Sequence, residues 1–110
     1  MRRLVVAAVL AAALGGGDAA GAARDARVTV RLFQFQPAEM AVAAGTPIVW
    51  RNADDISHTV TAGTPEHRGG AFHLVMDGAG STVTLTPAAP GTYPYFCERH
   101  PHMRGVIRVP

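Results

Sequence analysis

Cys97, His100 and Met103 stand within one seven-residue stretch, Cys97-Glu98-Arg99-His100-Pro101-His102-Met103, near the end of a 110-residue chain. A thiol, an imidazole and a thioether are soft or borderline ligands. Thiolate and imidazole with a distant thioether form the donor set of a trigonal copper site with a weak axial ligand. Magnesium and calcium would instead ask for carboxylates and carbonyls. A fourth donor must come from elsewhere, and His58 is best placed to supply it. It opens the β-branched run Thr59-Val60-Thr61 after the turn-like stretch Asn52 to Ser57, and such a strand end can face a C-terminal loop.

The elements that must carry these residues read as strands. Val28, Val30 and Leu32 alternate with Thr29, Arg31 and Phe33, the period of a half-buried strand. Pro47 to Trp50, Thr59 to Thr61, Thr82 to Leu85, Thr92 to Cys97 and Val106 to Val109 are further β-branched or aromatic runs. Gly45, Gly63-Thr64-Pro65, Gly69-Gly70, Asp77-Gly78 and Pro90-Gly91 punctuate them. His67 to Met76 fits either a short helical turn or an edge strand. The spacing predicts an all-β sandwich. Pro94 lies inside a good strand, so its missing N–H must fall at an unpaired or bulged position. Alternation sets Tyr93, Tyr95 and Cys97 on the core face and sends Phe96 outward, either to a partner or beneath a neighbouring segment.

Met1-Arg2-Arg3, the apolar run Leu4 to Leu14 and the small residues Gly15 to Ala23 read as a secretory signal peptide, expected over 1–23 with a single domain over 24–110. Cleavage fits after Ala22 or after Ala23. The apolar run is about half a membrane span, so no stable membrane insertion is expected after processing. The Arg2-Arg3 pair leaves both general and twin-arginine export open. Net charge is +2, part of it in Arg2 and Arg3, so the domain lacks the basic stripe of a nucleic-acid binder. With one cysteine no internal disulfide can form, and an exported lone thiol needs a reason. Alone, Cys97 would read as an inert buried residue; its neighbours argue for a ligand.

Over nearly the whole domain the sequence resembles the cupredoxin family, closest to its amicyanin and plastocyanin-like branch. The resemblance rests on Phe35-Gln36-Pro37, Val42 with Gly45, Val49-Trp50-Arg51-Asn52, His58, and Gly91-x-Tyr93-x-Tyr95-x-Cys97-x-x-His100-Pro101-x-Met103. It implies a Greek-key β-sandwich and one type 1 copper ion on His58, Cys97, His100 and Met103. The Cys-x-x-His-x-x-Met spacing is that of amicyanin. His102 also fits the longer azurin-type spacing, but Met103 is then adjacent to it and the axial position falls on Gly105 or Val106, so His100 is preferred. Thr59 stands where relatives carry an asparagine that braces the cysteine loop, work a hydroxyl can partly do. Arg99 stands where relatives often have proline, making the surroundings of the exposed histidine more cationic and suited to an acidic partner. The region before Phe33 is brief, which suggests a short first strand.

The implied function is an exported or periplasmic electron carrier, not an enzyme, expected as a monomer exchanging electrons with a cytochrome or dehydrogenase. The alternative is a periplasmic copper carrier or storage protein. The branch also implies a loop histidine, His100, that can leave Cu(I) when protonated. His67 and His73 are expected as surface residues without a ligand role, Met40 and Met76 as core filler, and Trp50 and Phe35 as core aromatics.

Overall fold

Val28 and Val30 are buried while Thr29 and Arg31 face solvent, so the period-two pattern commits this stretch to a strand with one face inward. The computed structural model describes residues 25–110; the segment expected to be a signal peptide lies outside the described residues. Among the latter the strands are β1 (Ala26–Arg31), β2 (Gln34–Gln36), β3 (Glu39–Ala41), β4 (Ile48–Asn52), β5 (His58–Gly63), β6 (Arg68–Met76), β7 (Thr82–Leu85), β8 (Gly91–Cys97) and β9 (His100–Val109). They form two sheets, β2-β1-β4-β7 and β3-β9-β8-β5-β6. β1 runs parallel to β4 and β3 parallel to β9, while the other pairs are antiparallel. This is a Greek-key β-sandwich, as expected. β1, although early in the domain, is paired along both edges.

Trp50, Phe35 and Tyr95 hold the two sheets together. The Tyr95 ring stands edge-on to Phe35 at 4.7 Å and to Trp50 at 5.4 Å between centroids. Its hydroxyl is buried without a hydrogen-bond partner, and burial pushes its pKa up to about 12. Tyr95 pairs across the ladder with Gly105, and a Cβ on Gly105 would overlap the Tyr95 ring. Gly105→Ala is therefore expected to cost about 1–3 kcal/mol by overpacking, read as a lower denaturant midpoint at unchanged slope. An unchanged midpoint would show that Tyr95 has room to shift.

The proline in β8 is accommodated by register. Val106, opposite Pro94, donates its N–H to Ala38 on the other side, so Pro94's nitrogen faces β5. There the β5 ladder has already ended at Ala62 and Tyr95. No ladder bond is lost.

One expectation needs correction, and two open alternatives resolve. Leu32 continues the alternation of β1 in sequence but is 70% exposed, because β1 ends at Arg31 and Leu32 and Phe33 form the turn into β2. Both turn residues have positive φ, 53° and 60°, unfavourable for side-chain-bearing residues and matching the mirror-image hairpin turn. The stretch His67 to Met76 resolves as the edge strand β6, with no helical turn. Phe96 points away from the core yet is buried, covered on the outer face by the Arg68 guanidinium 5.6 Å above its ring. The three-residue strands β2 and β3 are too short for alternation to have marked them.

Candidate metal centre

The site lies where the start of β5 meets the end of β8. His58 is the first residue of β5 and Cys97 the last of β8, and both are fully buried. Cys97 pairs directly with His100 across a tight turn made by Glu98 and Arg99. The next pair in that ladder is Phe96 with Arg104, so Pro101, His102 and Met103 are extra residues on the β9 side. This excess length returns Met103 to the core, where it is 2% exposed and packs in the same cluster as Tyr95 and Cys97.

The sulfur of Cys97 lies 3.6 Å from His58 Nδ1 and 3.7 Å from His100 Nδ1. Metal–nitrogen bonds of about 2.0 Å and a metal–sulfur bond of about 2.3 Å opened at about 120° separate such donors by roughly 3.7 Å. The spacing thus fits one ion bound trigonally between a thiolate and two imidazoles. The three donor atoms all lie within 4.8 Å of one another, and His102 is not among them. The His102 ring, exposed, sits 6.5 Å from that of His100.

Neighbouring groups orient each donor. His58 Nε2 donates to Asp54 Oδ2 at 2.8 Å, which fixes the tautomer and leaves the Nδ1 lone pair aimed at the sulfur side. Asp54 also accepts the amides of Leu32 at 2.8 Å and Phe33 at 3.0 Å, so one carboxylate holds both the strained turn and the imidazole. Burial alone would raise the Asp54 carboxyl; the Phe33 amide, His58 and the Leu32 amide outweigh it and hold it below the usual carboxylate range. The buried Asn52 anchors the approach by accepting the Asp54 amide and donating to the Ile56 carbonyl. The Thr59 amide donates to Cys97 Sγ at 3.3 Å, and Thr59 Oγ1 accepts the Glu98 amide at 2.8 Å. A hydroxyl thus ties β5 to the cysteine loop. Phe33 closes the site edge-on to His58 at 5.4 Å and to His100 at 4.8 Å.

His100 is only partly buried. Desolvation first, then the electrostatic influence of His58, His102 and Arg99, pulls its pKa below the ordinary imidazole value. The metal-free fold therefore binds fewer protons than the unfolded chain in mildly acid solution, and stability from this group falls as pH drops through the ordinary imidazole range toward the depressed value. Asp54, also depressed, acts at lower pH: its contribution is present above the ordinary carboxylate pKa and is lost as pH falls through its folded value. Thermal unfolding of metal-free protein should accordingly show Tm declining in two acid steps, the upper one missing in His100→Ala. A single carboxylate step in the parent protein would contradict the His100 assignment.

Two residues that matter here escaped the sequence. Asp54 sits four residues before His58, a spacing that by itself signals nothing in a loop, and Phe33 alternates as though it belonged to β1. His73, set aside as a surface residue, is exposed but hydrogen-bonds Thr61.

The comparisons agree with this geometry. A family model described as the cupredoxin-like domain matches residues 4–109. Amicyanin-alpha of Methylorubrum extorquens is 30% identical over 118 residues, covering 99% of each chain. Plastocyanin of Daucus carota is 30% identical over 83 residues, covering 68% of this chain and 86% of its own. The crystal structure of amicyanin from Paracoccus versutus superposes with a TM-score of 0.67 at 25% identity, covering 78% of this chain and 81% of its own. Donor chemistry and relatives together give this protein a cofactor of one type 1 copper ion. With its two-sheet Greek-key fold and a buried cysteine between two histidines, the chain belongs to the cupredoxin-like family.

Proposed function

We propose that this protein is an exported one-electron carrier whose copper ion is held by His58 Nδ1, Cys97 Sγ, His100 Nδ1 and the Met103 thioether. The observation that carries the reading is the pair of 3.6 and 3.7 Å separations between one buried sulfur and two imidazole nitrogens. Bound there, copper supplies the Cu(II)/Cu(I) couple, and four protein donors leave no position for a substrate. The chain's own residues do the rest. Asp54 and the Thr59 amide hold the donors in one arrangement, limiting the rearrangement that accompanies each electron. Phe33 screens both imidazoles from water. Cys97 continues covalently into β8, and the half-exposed His100 offers the short route to the surface.

The partner is a cytochrome or dehydrogenase with an acidic face. Arg104 is paired with Glu66, whereas Arg99, beside His100, has no ion pair among the described residues. Processing of residues 1–23 leaves a monomeric domain, 24–110, in the periplasm or outside the cell.

Cu(II) added to the metal-free protein should bind at one equivalent and give an intense blue charge-transfer band, bleached by a one-electron reductant. Stopped-flow mixing with a cytochrome should show electron exchange that slows as salt rises. Transfer of the copper to a metal-free acceptor, in place of electron exchange, would move the protein to the carrier or storage class.

A further inference from the structure

On the outer face of the second sheet, two threonines are buried where a sandwich normally meets solvent. Val60 points into the core, so its neighbours Thr59 and Thr61 point outward, yet they are only 3% and 5% exposed. Their hydroxyls lie 2.8 Å apart. Thr59 Oγ1 accepts the Glu98 amide at 2.8 Å, and Thr61 Oγ1 lies 2.9 Å from Nδ1 of His73, which pairs with Thr61 across β5 and β6. Glu98 directly follows Cys97. A continuous line of hydrogen bonds therefore runs from an exposed imidazole to the backbone amide beside the thiol.

Proton counting gives this line a direction. Each hydroxyl has one proton to donate. With Nδ1 of His73 unprotonated, the chain reads Glu98 N–H to Thr59, Thr59 to Thr61, and Thr61 to the imidazole lone pair, every member donating once. When Nδ1 carries a proton it must donate to Thr61, and Thr61 must then turn to Thr59. Thr59 already accepts the Glu98 amide, so its own proton is left in a buried place without an acceptor in the relay, or the amide bond loosens.

We propose that His73 is a positioning residue for the cysteine loop: through Thr61 and Thr59 it sets the direction of a buried hydroxyl relay ending on the Glu98 amide, and so makes the loop responsive to protonation at the outer face of β6. The charged groups facing His73 are Glu98, on the turn between β8 and β9, and Arg68 on its own strand, which pair with each other. β5 presents only the two threonines to it. The Glu98 carboxyl is held low by the Arg68 guanidinium and, more weakly, by His73, so it stays ionised while an imidazole titrates. The relay is a property of the metal-free protein; its redox consequence rests on the copper function proposed above. There, reversal points the hydroxyl dipoles toward the thiolate side and favours the electron-rich state, so the reduction potential rises as pH falls through the His73 titration.

The test is a pH titration of the isotope-labelled, metal-free protein by NMR, following the His73 ring and the Glu98 amide together. In the parent chain the Glu98 amide should move with the His73 midpoint. In Thr61→Val, which keeps the shape and the surface charge but removes the middle hydroxyl, His73 should still titrate while its step at the Glu98 amide is lost; Thr61→Ser should restore it. A Glu98 amide indifferent to His73, or one that still follows it in Thr61→Val, overturns the proposal, the latter because a through-space effect would suffice. If Thr61→Val does not fold, Thr61→Ala, which also removes the middle hydroxyl and keeps His73, gives the same reading: a Glu98 amide step that still follows the His73 midpoint overturns the proposal, and its loss supports it. With copper added, the matching step in potential should vanish in Thr61→Val, and its persistence there would count against the relay. Failure of the blue band to form would overturn the copper function and leave the relay test standing.

Discussion

Cys97→Ser is expected to abolish the blue charge-transfer band completely while leaving the sandwich folded. The band arises from a copper–thiolate bond, and serine supplies no sulfur and, with its high hydroxyl pKa, no anion at neutral pH. The cost in stability is about 1 kcal/mol, since the new hydroxyl occupies a fully buried site but inherits the Thr59 amide as a partner. Cu(II) titrated against both proteins, with far-ultraviolet circular dichroism as the folding control, reads both effects. Survival of the band in Cys97→Ser would remove the copper–thiolate reading. The paired substitution is equally direct: His100→Ala should lose the band and His102→Ala keep it, because only His100 brings a ring nitrogen to 3.7 Å from the sulfur.

Asp54→Ala carries the second large effect, because one carboxylate serves three groups. It strands the buried His58 Nε2–H and releases the Leu32 and Phe33 amides, whose backbone already sits at unfavourable positive φ. Leaving the imidazole proton unpaired costs about 1–3 kcal/mol, and the two exposed amides, which water can re-pair, add little more. Copper affinity should fall by roughly 10–100-fold, as for other outer ligand partners. Asp55→Ala, next door but exposed, should change neither. Urea unfolding and competitive copper titration of the two variants decide the matter: equal behaviour would mean that Asp54 organises neither the turn nor His58.

Much of the site could be read from residue order because a contiguous loop carries most of it. Cys97, His100 and Met103 are close in space since they are close in chain, and a thiol with an imidazole and a thioether has few other uses together. The fold was legible for a related reason: alternation records burial on one face, and Val28, Val30, Trp50 and Tyr95 are all where alternation puts them. Leu32 shows where that signal fails. Periodicity cannot register that a strand ends early when what ends it is a carboxylate from a distant loop.

Phe96 and Thr61 make the same point from the other face of the sheet. Both alternate outward and both are buried, because Arg68, His73 and Glu98 gather over them from β6 and from the β8–β9 turn. The sequence by itself determined the donor types, the two-sheet class and the preference for His100 over His102, since these follow from local spacing and from chemistry that few residues possess. Tertiary structure alone decided that Asp54 joins the Leu32–Phe33 turn to His58, that Phe33 roofs both imidazoles, and that His73 reaches the cysteine loop through two hydroxyls. Such contacts depend on strand register, and register is set by the packing of the whole sandwich, a long-range quantity that no window of sequence contains.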